Sequence, residues 1–174
     1  SEAQVGSVAA PTAGLHFTDE VLSQLSANGV RSSSLALHVG AGTFKPVTVD
    51  TLGEHEMHAE MFSIGGAELA ELEKSVAEGR PVVPVGTTSA RVLESLYHFA
   101  ARGGAASGGD LGHLHQCEGY AGEGESLTRF EAVARLRAQA NAAGGRLHGS
   151  TSLCVAPGYH FRVCDGIVTN FHAP

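Results

Sequence analysis

No apolar run in the 174-residue chain approaches the ~20 residues that a membrane-spanning helix needs, so no membrane partner is expected. The opening SEAQVGSVAA carries no basic start followed by an apolar block, and no secretory signal is read in it. Cysteine is sparse: Cys117, Cys154 and Cys164 make an odd count without a C-x-x-C. That argues against a disulfide framework or a zinc ribbon and for a reducing compartment, the cytoplasm or, in a eukaryotic source, an organelle. Basic residues are also short, 11 Lys and Arg against 18 Asp and Glu for a net charge of −7. Such a balance is unhelpful for nonspecific binding to a polyanion, where Lys and Arg must displace counterions. The G-x-x-x-x-G-K of a Walker A loop, the Rossmann G-x-G-x-x-G, H-E-x-x-H and any internal repeat are absent. There is no initiator Met, and the chain stops at Pro174 after a strand-like segment; a piece of a longer protein is the expectation.

What is plentiful is small residues, including 23 glycines, and two stretches concentrate them with hydroxyls. VAAPTAGLHFT, Val8 to Thr18, and VPVGTTSARVLES, Val83 to Ser95, each run from a small-residue loop into a helical pattern. Such a junction leaves helix-start N–H groups available to an anionic ligand. The 43% apolar content suits a globular domain with a real core.

Along the chain, Thr18 is a good N-cap, Asp19 and Glu20 suit the positive end of a helix dipole, and Val21, Leu22 and Leu25 make an apolar stripe ended by Asn28-Gly29. Ser34 to Val39 alternates as a half-buried strand and empties into GAGTFKPV, where Gly40 and Gly42 permit a tight path around Thr43. Ala67 to Glu78 repeats apolar residues at helical spacing up to Gly79; Pro81 to Val85 is expected to be a buried strand, followed by a helix to about Ala101. Helix, strand, helix, strand, helix argues for an α/β or mixed α+β layered domain over residues 1–101. Residues 102–149 are expected to be an insertion, with a flexible Gly-rich loop to Gly124 and then one helix. That helix has a capping-box spacing at Thr128 and Glu131 and a core stripe of Phe130, Val133, Leu136 and Ala140. Residues 150–174 are expected to return to the core as short strands in a meander or hairpin.

Four groups of residues could carry chemistry. Thr87, Thr88 and Ser89 offer hydroxyls at a helix start, and Arg91 offers a planar fork for a carboxylate or phosphate; simple helix capping is the alternative. In the first loop Gly14 allows close backbone approach and His16 stands at the helix mouth, where packing would explain it equally. His55, His58 and Glu60 fit a metal reading if H-x-x-H lies on one helical face, or proton transfer by neutral imidazole. Asp165, Asn170 and His172 sit at or beyond the ends of tail strands, where ligand contacts and turn hydrogen bonds both occur.

The blocks GSVAAPTAGLHFT, LHVGAGTFKPV, HEMHAE, VGTTSARVLES and PGYHFRVCDGIVTNFHAP, in this order, resemble the S-adenosylmethionine:tRNA ribosyltransferase-isomerase family of queuosine synthesis. The resemblance covers most of residues 5–100 and 151–174. It implies a transferase and isomerase that moves the ribosyl part of S-adenosylmethionine onto an aminomethyl-deazaguanine at the wobble position of tRNA. The products are epoxyqueuosine, adenine and methionine. S-adenosylmethionine is then a consumed substrate, tRNA the partner, and no metal is expected. A monomer is the default expectation.

Under that resemblance His16, His38, His55, His58 and His172 form the pool for proton transfer, and Asp165 is the carboxylate that orients an imidazole or holds a ribose hydroxyl. Gly14, Thr43, Thr87, Thr88, Ser89, Arg91 and Asn170 would contact substrate. The resemblance also implies a region before Gly6, a Lys-Ser-Thr-Leu continuation after the TNFH-x-P block, and a much shorter connection than residues 102–149. Two other readings stay open: a noncatalytic remnant of the fold acting at most as a binding module, and a histidine-rich metallohydrolase.

Overall fold

The computed structural model describes residues 12–38, 57–120 and 126–170. The elements in chain order are a 3-10 turn at Thr12–His16, α1 (Asp19–Ala27), β1 (Ala36–His38), β2 (Glu60–Gly65), α2 (Gly66–Ala77), α3 (Thr87–Ala101), β3 (Asp110–Leu114), α4 (Arg129–Ala142) and β4 (Arg146–Thr151). The strands form one mixed sheet in the order β1-β2-β4-β3. β1 and β4 both run antiparallel to β2, and β3 runs parallel to β4. Helices and a mixed sheet in layers match the α/β, or mixed α+β, expectation.

Period-two alternation builds the inner face. Phe62 and Ile64 of β2 are buried while Met61 between them and Glu60 is 63% exposed. Opposite them, Leu147 of β4 pairs with Ile64 and Gly149 with Phe62. A Cβ at Gly149 would lie 3.0 Å from the Leu111 Cβ and 3.2 Å from Phe62, so the missing side chain is what admits both. Above this face pack Leu69 of α2, Val92, Leu96 and Phe99 of α3, and Val133, Leu136 and Ala140 of α4. Phe62 and Phe99 meet with ring centroids 5.9 Å apart.

The helix ends follow their local chemistry. Thr18 accepts from the Val21 N–H at the start of α1, and Thr128 and Glu131 close a full capping box on α4. Gly29 and Gly79 follow α1 and α2 at positive φ, a conformation that costs Gly little.

Five local expectations are corrected. The Gly-rich stretch after Arg102 contains β3, and residues 146–149 belong to β4, an inner strand of the sheet; this stretch is therefore part of the described layer rather than a loop outside it. Arg102, at the end of α3, holds β3 in place by donating to the carbonyls of Leu111 (3.2 Å) and His113 (2.7 Å). Pro81 to Val85 forms no regular strand, only an isolated parallel bridge from Val85 to Val168, because Pro81 and Pro84 have no N–H to give a ladder. The tail forms no hairpin among the described residues, since carboxylates take several of its N–H groups, as described below. Phe130 is 44% exposed while the other three residues of its stripe are buried. The apolar stripe of α1 likewise stays out, with no residue of that helix buried.

Candidate functional site

Glu60 opens β2 on the inner face, where a carboxylate would ordinarily be expelled, and it is fully buried. Arg91, one turn into α3, reaches it with Nη2 at 2.9 Å, its own side chain only 12% exposed. Removing two charges from water costs several kcal/mol per ion unless geometry and hydrogen bonds compensate, so a pair this deep fixes the guanidinium firmly. On the next turn Ser95 donates to the Arg91 carbonyl at 2.7 Å and shares a 2.7 Å hydrogen bond with Thr151. Thr151 is the β4 residue directly opposite Glu60. Thus α3, β2 and β4 are tied together by polar groups at one end of the sheet, the end where parallel strands β3 and β4 finish.

The start of α3 faces that end. Gly86 precedes it at φ 95° with no side-chain cap on the first turn and no acidic residue there, leaving main-chain donors at the positive end of the dipole. The first loop lies beside it: a Cβ on Gly86 would come within 3.9 Å of the Cβ of Ala13. The tail arrives from the other side, the Val168 carbonyl accepting from the Gly86 N–H at 2.8 Å and the Val168 N–H donating to the Pro84 carbonyl at 2.9 Å.

A second buried carboxylate sets the path of the tail. Glu94, fully buried on α3, accepts through Oε1 from the N–H groups of Val163 (2.9 Å) and Cys164 (2.8 Å). Its Oε2 accepts from the Arg162 N–H (2.7 Å) and the Tyr159 hydroxyl (3.0 Å). Because that phenol donates to Glu94, its oxygen is the acceptor for His98 Nε2 at 2.9 Å, which fixes the imidazole tautomer. Burial holds the His98 imidazole below its usual value, and burial with the neighbouring Glu94 charge pushes the Tyr159 phenol well up. Neither Glu94 nor this chain of three side chains was marked by sequence reasoning, since Glu94 sits mid-helix and its partners come 65 to 70 residues later.

The sequence-selected residues divide as follows. Gly14 is half-buried in the 3-10 turn beside Gly86, and His16 is exposed at its end. Thr87, Thr88, Ser89 and Arg91 open α3, with Thr87 exposed and Thr88 and Ser89 half-buried. His58 is half-buried two residues before Glu60, and His38 pairs with Met61, the residue after it. Asn170, half-buried, follows the Val168 bridge. The Arg91–Glu60 contact joins the start of α3 to the first residue of β2, and the Val168 bonds bring the segment before Asn170 to Gly86.

Asp165 is placed differently. It takes a two-pronged contact from Arg129 (2.6 and 2.8 Å) and the Val82 N–H (2.8 Å), with no imidazole among these partners. The Arg129 guanidinium holds its carboxyl below the usual carboxylate range. An open cleft of about 400 Å³ beside it is lined by Val76, Gly79, Arg80, Pro81, Arg129 and Asp165. His55, Thr43 and His172 lie outside the described residues.

Residues 57–59 are not helical and Glu60 begins a strand, while His55, the other half of the H-x-x-H, lies outside the described residues. Among the described residues no group of three His, Cys, Asp or Glu side chains is arranged to hold a metal ion. No described helix is long and apolar enough to cross a membrane.

Residues 2–174 match the family model described as queuosine biosynthesis protein. The chain belongs to that family. It is 42% identical over 172 residues to an S-adenosylmethionine:tRNA ribosyltransferase-isomerase of Burkholderia mallei, an alignment covering 99% of this chain and 38% of the relative. The enzyme of the same name from Aromatoleum aromaticum is 42% identical over 169 residues, 97% of this chain and 37% of that one. A crystal structure of an S-adenosylmethionine tRNA ribosyltransferase from Thermotoga maritima superposes with a TM-score of 0.52 at 25% identity, covering 93% of this chain and 36% of that chain. The chain therefore spans about 38% of the length of the curated relatives it matches.

Proposed function

We propose that this queuosine-family chain forms part of an S-adenosylmethionine:tRNA ribosyltransferase-isomerase. In that reaction the ribosyl moiety of S-adenosylmethionine moves onto the aminomethyl-deazaguanine wobble base of tRNA, forming epoxyqueuosine and releasing adenine and methionine. The observation that carries the reading is the 42% identity, over nearly the whole chain, with relatives of that name. The Arg91–Glu60 contact at the first residue of β2 and the bonds from Val168 to the turn before α3 support it.

The positive sulfonium acidifies the adjoining ribose carbon, so a positioned base can remove its proton; adenine then departs and the tRNA-borne amine attacks. His58 is assigned the proton transfer, with His16, His38, His55 and His172 as the other members of the pool. The hydroxyls of Thr87, Thr88 and Ser89 and the main-chain donors of α3 hold substrate oxygens, with Gly14, Thr43 and Asn170 beside them. Arg91, oriented by Glu60, receives the methionine carboxylate, which suits its planar fork. Asp165 is kept as a contributor through the tail it anchors.

The test uses the full-length protein that contains this chain, incubated with S-adenosylmethionine and tRNA carrying the aminomethyl-deazaguanine. Adenine release with modified tRNA is expected, falling about 10²- to 10⁴-fold in His58→Ala if His58 is the base. Full turnover in that variant removes His58 from the role. Binding of S-adenosylmethionine without any adenine release from the unmutated protein supports the other reading, a binding module without turnover.

A further inference from the structure

We propose that Cys117 and Cys154 form a redox pair that closes to a disulfide at the sheet end where β3 and β4 finish. The parallel register of these strands pairs Leu114 with Thr151. It continues past the assigned strands, because the Ser152 N–H donates to the Leu114 carbonyl at 2.8 Å and the Cys154 N–H to the Gln116 carbonyl at 3.1 Å. Cys117 follows Gln116 directly, in the turn that the Glu118 N–H closes onto the His115 carbonyl at 3.2 Å, and so stands beside Cys154. The Cys154 bond to the carbonyl of the residue just before Cys117 brings the two main chains together, as the ~4.4–6.8 Å Cα separation of a disulfide requires. Tyr120 tightens this junction by donating to the Cys154 carbonyl at 2.8 Å and accepting from the Ala156 N–H at 2.9 Å.

The two thiols are suited to unequal parts. Cys117 is exposed and Cys154 half-buried, while Cys164 is buried behind α3 and accounts for neither. Burial pushes the Cys154 thiol up, with the neighbouring Arg91 opposing that shift and Cys117 adding to it. The exposed Cys117 is the attacking sulfur and Cys154 the resolving one. With a small-molecule disulfide as oxidant, the Cys117 thiolate attacks one sulfur and expels the other as a thiolate. Cys154, its proton lost to solvent, then attacks the Cys117 sulfur and expels the second thiolate. Two protein thiols are oxidised to one disulfide, and one small disulfide is reduced to two thiols.

Closure would lock the turn that follows β3 against the chain leaving β4. Gln116, in that turn, accepts the Met57 N–H at 3.1 Å through its side chain, so the link also bears on the segment that carries His58. The Cys154–Gln116 hydrogen bond and the exposure of Cys117 carry this pairing, which survives or fails independently of the proposed reaction.

The experiment treats the folded full-length protein with glutathione disulfide and follows intact mass and peptide maps. The expected product has lost two hydrogens, carries a Cys117–Cys154 cross-linked peptide and is restored by dithiothreitol. In Cys154→Ser a stable glutathione adduct on Cys117 should replace the cross-link, and in Cys117→Ser neither should form. A lasting glutathione adduct on Cys117 in the unmutated protein, a link through Cys164, or no reaction at Cys117 each overturns the proposal.

Discussion

Replacing Glu94 with Gln tests whether one buried carboxylate holds the tail to α3. The substitution keeps shape and volume, so no cavity confuses the result. A glutamine oxygen can still receive two of the three main-chain donors, those of Val163 and Cys164. The new amide then points its own hydrogens at the Arg162 N–H and the Tyr159 hydroxyl, the partners of Oε2. The phenol can turn; the main-chain N–H cannot. One orphaned buried donor costs about 1–3 kcal/mol, and exchanging a charged acceptor for a neutral one weakens the surviving bonds, offset in part because no ion is now buried. The net expectation is a loss of about 2–4 kcal/mol, which for a domain of this size lowers Tm by roughly 4–16 °C. The assay is thermal unfolding of the full-length protein, with hydrogen exchange to locate the change. Amides 162–164 should lose protection ahead of those in β2 and β4. An unchanged Tm with full protection at those three amides would refute the assignment of Glu94 as the clasp.

His98 should make the fold acid-sensitive. Its imidazole is held below the usual 6.5 by burial, so the neutral form is favoured in the folded state. That contribution is complete above the unfolded value and disappears as pH falls through the folded one. Unfolding curves at about pH 7.5 and 5.5 should therefore diverge less in His98→Gln than in the parent; equal divergence counts against the idea. Gly149→Ala should destabilise by about 1–3 kcal/mol, because the added carbon meets the Leu111 Cβ and the Phe62 ring at 3.0 and 3.2 Å. A denaturant midpoint equal to the parent's would show that those neighbours give way freely.

The helices were legible because their signals are local. Thr18, the Thr128 and Glu131 pair, Gly29 and Gly79 act on backbone within a turn of themselves, and α1 and α4 begin, and α1 and α2 end, where those residues direct. β3 was hidden for an equally physical reason. A bulge between Asp110 and His113 breaks its register, with Gly112 at φ 74°, so Leu111 and Leu114 fall inward at a spacing of three and the period-two signature is lost. The tail read as strands because its side chains alternate, but its donors go to Glu94 and its Asp165 side chain to Val82, partners that no local pattern announces. The candidate site shows the same division: the hydroxyl run and Arg91 stand out in sequence, whereas the burial of Glu60 that orients Arg91 emerges only once β2 lies beneath α3.

The inner position of β4 governs when this layer can exist at all. β2 finds its second neighbour only through residues such as Arg146, whose guanidinium donates to the Ser63 hydroxyl 83 positions away in sequence. On a ribosome, β2 must wait with one flank unpaired until the chain through Thr151 has emerged, an interval in which β1 is its one neighbour among the described strands. Long-range closure of this kind slows folding and leaves an adhesive edge open during synthesis, so translation speed across residues 66–151 becomes a determinant of yield.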